Sequence, residues 1–386
     1  MPNVMDIVEV AKALETKAVL VVDDRCTVVR NRHSTCTKCA DACLADAVFA
    51  EKNKLYFDAE ACIKCGACTT VCPCEALVPL APLDEVIAEE APLTMEAAGG
   101  TAVFACARIA SKRVGDPTKY VEVPCLARMD EASIVEAAAR GASEIVLVDG
   151  NCRTCKYRFT SSGTDVTAQT AAQLIAAQGS PAQVRRASEF PECAVMQDYH
   201  SYLQESRRDF FAGTGARARD AAVKSVETLV FKKSDNQVLA ALRERMALTE
   251  DGTLPQFDPQ RHMRILDAMD AIGPSVEPYV DTRVFGSVEI DTEKCKACKM
   301  CTVFCTTGAL HKTDLAPEDG VGSFLEFSAA ECVQCRLCED SCLSKCLHVN
   351  SRVSTDELFD FEPRLIHLPD PPRRPGTLNH LGRKKR

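Results

Sequence analysis

Cysteine dominates the chemistry this chain can do: 23 of its 386 residues are cysteine, most of them in short repeated spacings. Cys295, Cys298, Cys301 and Cys305 give C-x2-C-x2-C-x3-C, and Cys332, Cys335, Cys338 and Cys342 repeat it. Cys62, Cys65, Cys68 and Cys72 form the same run, followed by Pro73. A fourth run is stretched, with the nine residues TVVRNRHST between Cys26 and Cys36, and Cys39 and Cys43 beyond. Three thiolates at this spacing wrap one iron–sulfur cube in a tight loop, while the fourth, on the following helix, points to a neighbouring cube. The expected ligand sets therefore cross over. They are Cys26, Cys36, Cys39 with Cys72; Cys62, Cys65, Cys68 with Cys43; Cys295, Cys298, Cys301 with Cys342; and Cys332, Cys335, Cys338 with Cys305. Structural zinc is the competing reading, but zinc sites pair C-x2-C knuckles and close with four ligands. Four [4Fe-4S] clusters are the expectation. The stretched run leaves a second reading open at Cys26, a [3Fe-4S] cluster or an altered potential. Arg30, Arg32 and His33 in that insertion read as solvated loop charges, with donation to cluster sulfurs as the other reading.

These runs need elements to hold them. Ala18–Val22 reads as a strand after a short helix, and the segments VEID and FLEF, before the two C-terminal runs, read as strands. Between the cysteine blocks the texture changes. Apolar runs (TAVFA, KYVEV, EIVLVDG) alternate with helical ones (DEASIVEAAARGA, VTAQTAAQLIAAQG), the pattern of a small parallel sheet covered on both faces. Cys106, Cys125, Cys152 and Cys155 each follow one of those strands. In an open α/β sheet the carboxyl ends of strands share one edge, where ligands bind. Three strand ends can thus gather four thiols, a donor set suited to [2Fe-2S] or zinc. Residues 80–98 read as a linker or surface helix, and 200–272 as connecting helices. The resulting division is 1–80, 99–200, a helical linker 201–284, 285–350, and an extended tail 351–386. Cys74, Cys193 and Cys346 remain. Cys74 and Cys346 read as buried free thiols or alternative ligands, and Cys193 as a substitute in the middle site.

The two cysteine-dense blocks, over about residues 18–80 and 285–350, resemble the bacterial-type dicluster ferredoxin family. That resemblance implies an α+β ferredoxin-like module at each end. Only Cys72 precedes a proline; Cys43, Cys305 and Cys342 precede Leu, Thr and Leu. The residues VFACARIA and VEVPCLARMDEASIVEAAARGASEIVLVDGNCRTCKYR resemble the family of the delta subunit of methyl-viologen-reducing hydrogenase, over about 100–200. This second resemblance implies a [2Fe-2S] site at Cys106, Cys125, Cys152 and Cys155, linking a hydrogenase to a flavin-containing partner of heterodisulfide-reductase type. The family often has further cysteines beside the first; here Ala105 and Ala107 flank Cys106.

Composition narrows the remaining choices. A net charge of −9 offers no basic surface for nucleic acid. No run of 18 apolar residues occurs and the first residues lack an export signal, so a cytoplasmic protein, at most peripheral to a membrane through partners, is expected. No G-x-G-x-x-G follows a strand, and no P-loop or nucleophile elbow is present. The reading is an electron-transfer subunit with no catalytic residues of its own. Its partners would be a catalytic oxidoreductase (hydrogenase, formate dehydrogenase or flavin-based reductase) and a second redox protein. The competing reading is an enzyme whose substrate meets iron at the middle site or at Cys26.

Overall fold

The computed structural model describes residues 18–150, 152–155, 159–197, 247–250 and 252–371. The helix expected before Ala18, the helices expected from VKSVETLV and most of QVLAALRERMAL, and the basic C-terminus lie outside these residues.

The N-terminal block contains β1 (Val19–Val21), α1 (Thr27–Arg30), α2 (Lys38–Ala42), β2 (Val48–Glu51), β3 (Lys54–Phe57), α3 (Ala67–Val71) and β4 (Leu77–Pro79). β1 pairs antiparallel with β4, Val19 opposite Pro79, so the two ends of the block close on each other. β2 and β3 form a hairpin whose two-residue turn, Lys52 and Asn53, takes positive φ at both positions (49° and 60°). That is the turn whose twist matches paired strands, and Asn tolerates it well. The Asn53 Nδ2 donates to Val28 O (3.1 Å) and Val29 O (3.2 Å), satisfying carbonyls of α1. The hairpin tip thereby fixes the inserted segment.

The middle region contains α4 (Asp84–Ala97), β5 (Thr101–Cys106), α5 (Ala107–Ala110), β6 (Val121–Val123), α6 (Glu131–Ala139), β7 (Glu144–Val148), α7 (Gly163–Ala177) and β8 (Gln183–Ala187). The sheet order is β6-β5-β7-β8, every pair parallel. β8 is a strand that pattern reading passed over: QVRRA is an edge strand with two arginines and little apolar signal. Right-handed crossovers put the β6–β7 and β7–β8 connections on one face and the β5–β6 connection on the other. On that second face the Tyr120 and Phe190 rings pack at a tilt of 44°, with centroids 5.0 Å apart. The 80–98 segment resolves as a helix rather than a linker. α4 buries Ile87 and Ala91. Its internal Pro92 cannot donate to Ala88 O, and Arg140 Nη1 donates to that carbonyl instead (3.0 Å).

The C-terminal region contains α8 (Gln260–Ile272), β9 (Tyr279–Asp281), β10 (Ser287–Ile290), α9 (Met300–Phe304), β11 (Leu310–Lys312), β12 (Ser323–Phe327), α10 (Leu337–Asp340), β13 (Leu347–Asn350), β14 (Arg352–Ser354), α11 (Thr355–Phe359) and β15 (Arg364–Leu368). β10 pairs antiparallel with β13 just as β1 pairs with β4. The VEID and FLEF strands lie in different sheets, since FLEF belongs to β11-β12-β15. The expected extended tail is corrected here. Its first part supplies β14, which pairs with β9, then α11, and then β15 against β12. Alternating Leu365–Leu368 residues, half of them buried, explain why this proline-flanked stretch still pairs.

The apolar core divides unequally. One continuous cluster of buried side chains runs from the middle sheet through α8 into the C-terminal sheets. The N-terminal block has its own small cluster of Ala18, Val19, Val48, Cys68 and Leu77.

Candidate iron–sulfur sites

Three of the four cysteine runs share one backbone device. In each, the residue before the second cysteine and the residue after it have positive φ: Lys64 and Gly66, Ala297 and Lys299, Gln334 and Arg336. Left-handed residues alternating with right-handed ones turn successive N–H groups into one concavity, a nest suited to anions and to iron–sulfur groups. Five of these six are not glycine, proline or asparagine and cost about 1 kcal/mol or more each. The stretched run departs. Thr37 has φ −122°, and the chain goes straight into α2 at Lys38. All four runs rejoin beyond the fourth cysteine, where Asp46, Glu75, Gly308 and Lys345, each three residues on, have positive φ. This turn aims the next N–H groups back at the thiol. Ala47 N–H donates to Cys43 Sγ (3.3 Å) and Leu310 N–H to Cys305 Sγ (3.4 Å).

The thiols fall into neighbourhoods. Burial pushes Cys26 up to about 11, with the nearby charges of Cys72 and Cys36 adding to it. Cys39 is pushed to about 12 by burial and then by Cys72, Cys26 and Cys36. Cys65 is raised by burial and by Cys43 and Cys62; Cys68 is raised by burial and by Cys65, Cys43 and Cys62, with Cys39 also in reach. In the C-terminal region Cys332 is pushed to about 12 by burial, then by Cys335 and Cys305. Cys338 is raised by burial and by Cys335, Cys305, Cys332 and Cys301. Cys301 is pushed to about 12 by burial and by Cys298, Cys295 and Cys305. Burial alone would keep such thiols protonated, and a cationic group is what can hold them as thiolates.

Cys346 complicates the last set. Its Sγ lies 3.5 Å from Cys342 Sγ, and it is pushed to about 12 by burial and by its contacts with Cys342 and Cys295. It therefore stands between the two cysteines that sequence reasoning joined directly. The signal was present in the repeat: Ala47, Ala76 and Ala309 occupy the same offset in the other runs, and all three are buried.

In the middle region β6, β5 and β7 end side by side. Cys106 is the last residue of β5 and its Sγ donates to Asp149 O (3.5 Å). Cys152 Sγ lies 3.1 Å from Asp149 Oδ2 and 3.2 Å from Ser161 Oγ. Arg186 on β8 holds this corner: its Nε donates to Asp149 Oδ2 (2.7 Å), its Nη1 to both oxygens of Asp165 (3.1 Å), and its Nη2 lies 3.6 Å from Cys152 Sγ. Cys125 is pushed to about 12 by burial, then by the nearby thiols of Cys65, Cys106 and Cys152. Cys155 is placed by its backbone, its N–H donating to Cys152 O (3.0 Å). Cys193 lies in a short 3-10 turn in reach of Arg185, which points to the opposite side of β8 from Arg186.

The regions meet through specific contacts. Gly66, at φ +81°, lies against Arg128, and a Cβ there would come within 2.7 Å of the Arg128 side chain. Thr70 Oγ1 donates to Ala127 O (3.0 Å). These contacts seat the turn after Cys125 on the turn after Cys65. Cys74 is 2% exposed; its Sγ lies 3.8 Å from Thr306 Oγ1, which lies 3.5 Å from Cys335 Sγ. Contact with Cys74 lowers Cys335 to about 6 and raises Cys74. The solvated reading of the insertion needs correction at one residue. Arg32 and His33 are exposed, but Arg30 is buried, only 7% exposed.

Among the described residues no three His, Cys, Asp or Glu side chains stand close enough to hold a single metal ion. Tetrahedral zinc, with Zn–S bonds of about 2.3 Å, would place its thiol sulfurs about 3.8 Å apart, whereas a cube of irons and sulfides spaces its ligands more widely. Among the described residues no helix is long and apolar enough to cross a membrane. No curated protein matches the chain. Residues 54–77, from β3 through the Cys62–Cys72 run into β4, match a family model described as a 4Fe-4S binding domain. The chain thus carries a segment of 4Fe-4S binding character.

Proposed function

We propose that this chain is an electron-transfer subunit holding four [4Fe-4S] clusters and one [2Fe-2S] cluster, and that it relays electrons between a catalytic oxidoreductase and a second redox partner. The supporting observation is the unbroken succession of neighbouring thiols. Cys125 of the middle site is in reach of Cys65; Cys68 is in reach of Cys39; Cys74 is in reach of both Cys72 and Cys335; and Cys338 is in reach of Cys301. The order is linear, with the middle site at one end and the Cys295 set at the other, where Cys298 is exposed.

An iron–sulfur cluster supplies one-electron exchange without proton transfer. The chain's own residues place and tune it. The positive-φ nests aim N–H groups at the sulfurs, which raises reduction potential. Arg186 and Asp149 fix the Cys106–Cys152 corner. The hydrogenase, formate dehydrogenase or flavin-based partner of the sequence reading is what a relay with cysteine runs towards both ends would serve, the substrate chemistry lying in that partner. Iron and acid-labile sulfide analysis of the anaerobically purified chain tests this, with about eighteen of each expected. Metal content near four, or zinc in place of iron, sinks the reading.

A further inference from the structure

The inserted segment that stretches the first cysteine run carries a charge into the boundary between the two modules. Arg30 ends α1, and its Nη1 donates to Asp24 O (3.1 Å), while its Nε and Nη2 are buried with no hydrogen-bond partner. A guanidinium keeps its charge at any working pH and has five N–H groups to satisfy. Leaving two of its nitrogens unpaired out of water is costly unless negative charge lies near them. The groups in its reach are Cys74, Cys305, Cys335 and the Asp24 carboxylate. Two of those thiols belong to the C-terminal module. The junction is held shut by contacts on either side: Thr35 N–H donates to Asp340 Oδ2 (2.7 Å), and Arg261 donates to Thr69 O (2.7 Å) and Thr70 O (2.9 Å).

We propose that Arg30 is a cross-module tuning residue. Its buried, unpartnered guanidinium nitrogens lie within electrostatic reach of Cys305 and Cys335, two members of the set formed by Cys332, Cys335, Cys338 and Cys305, and of Cys74, which packs with Thr306 into the same junction. A residue of the N-terminal module thus raises the reduction potential of a cluster held by the C-terminal one. The inference rests on the electron-transfer reading above and deepens it. Donation to cluster sulfurs and nearby positive charge both favour the reduced, more negative state. The C-terminal runs carry Lys296, Lys299 and Arg336, but none of these is buried as Arg30 is. The insertion therefore has a role beyond moving a ligand.

EPR-monitored redox titration of the full-length, cluster-loaded chain tests the assignment, comparing wild type with Arg30→Gln and Arg30→Lys. Arg30→Gln keeps polarity and loses charge. At a fixed poise it is expected to raise the oxidised-to-reduced ratio of one cluster about tenfold, equivalent to about 59 mV for a one-electron couple, leaving the other potentials in place. Arg30→Lys, which keeps the charge but not the planar fork, is expected to shift the same cluster less. Full iron content with every potential unmoved in Arg30→Gln overturns the inference while leaving the relay reading intact. If Arg30→Gln sheds iron, Arg30→Lys decides: a lowered potential at one cluster supports the inference and unmoved potentials overturn it. A wild-type chain without iron defeats the relay reading itself, so the two failures are distinguishable.

Discussion

The two cysteine modules repeat one plan yet are held in place by different physics. The C-terminal module shares a continuous apolar core with the middle sheet and gains extra strands, β9, β14 and β15. The N-terminal module has a small core of its own and docks through directed polar contacts made by Arg261, Thr70 and Thr35. Non-directional burial favours a fixed, stable unit, while directed contacts fix register at a surface. The module that relies on them is the one that touches both of its neighbours' cysteine sites. A small core of five buried residues also leaves much of that module's stability to whatever its thiols bind.

The largest test of this difference concerns the ligands. Cys26→Ala and Cys332→Ala, made in parallel, are each expected to lower iron by about four per chain with loss of one EPR signal, or by about one with its conversion to a [3Fe-4S] signal. If Cys26→Ala leaves iron and spectrum unchanged, the stretched run holds its cluster with another group, and the modules differ in ligation as well as docking. Because the N-terminal core is small, the thermal melt should fall further for Cys26→Ala than for Cys332→Ala.

Docking is next in size. Arg261→Met removes two donors from Thr69 O and Thr70 O and the charge that offsets Glu75, whose pKa burial raises. A loss of about 3 kcal/mol is expected in denaturant unfolding. Hydrogen exchange should quicken in residues 18–80 and stay slow in the middle sheet. Uniform quickening across the chain would show that the two modules unfold as one unit and erase the comparison.

A smaller effect should depend on pH. His262, on α8, is 2% exposed with Nε2 against Val284 O, and burial lowers its pKa to about 4. The unfolded chain, with an ordinary histidine value near 6.5, binds the proton first, so stability is lost as pH falls from about 6.5 towards 4. Between pH 7 and 5 this group contributes about 2 kcal/mol of that loss. His262→Gln should flatten this part of the profile; an unchanged slope assigns it to the carboxylates around it.

The smallest expected change is at Cys346→Ala, which restores the alanine of the other three runs. Iron content and stability should stay within error, while the signal from the Cys295 set shifts as a thiol beside Cys342 disappears. Loss of about four irons instead would identify Cys346 as the ligand and Cys342 as the bystander.

Much of the site was legible because thiolate spacing is a local constraint. The three regular runs adopt the same alternating left-handed backbone, and Cys106, Cys125 and Cys152 stand at adjacent strand ends, as apolar runs TAVFA, KYVEV and EIVLV suggested. Other features were hidden by opposed signals. Pro92 left residues 80–98 open between linker and surface helix; they form α4, and the hydrogen bond Pro92 cannot make is replaced by Arg140 from another helix. The arginines of QVRRA masked β8, because an edge strand needs less apolar surface. Prolines around residues 363–371 masked β15, which is ordered by pairing with β12.

The sequence by itself determined the donor chemistry: which residue types cluster, at what offsets, and where a run is stretched. Those follow from backbone reach and the geometry of a loop around a cube. The tertiary structure decided which sets are neighbours. That Cys125 faces Cys65, that Cys74 meets Cys335 across 261 positions of chain, and that Arg30 is buried rather than solvated depend on how separate surfaces dock. Docking is a sum of contacts between residues far apart in the chain, and no local spacing encodes it.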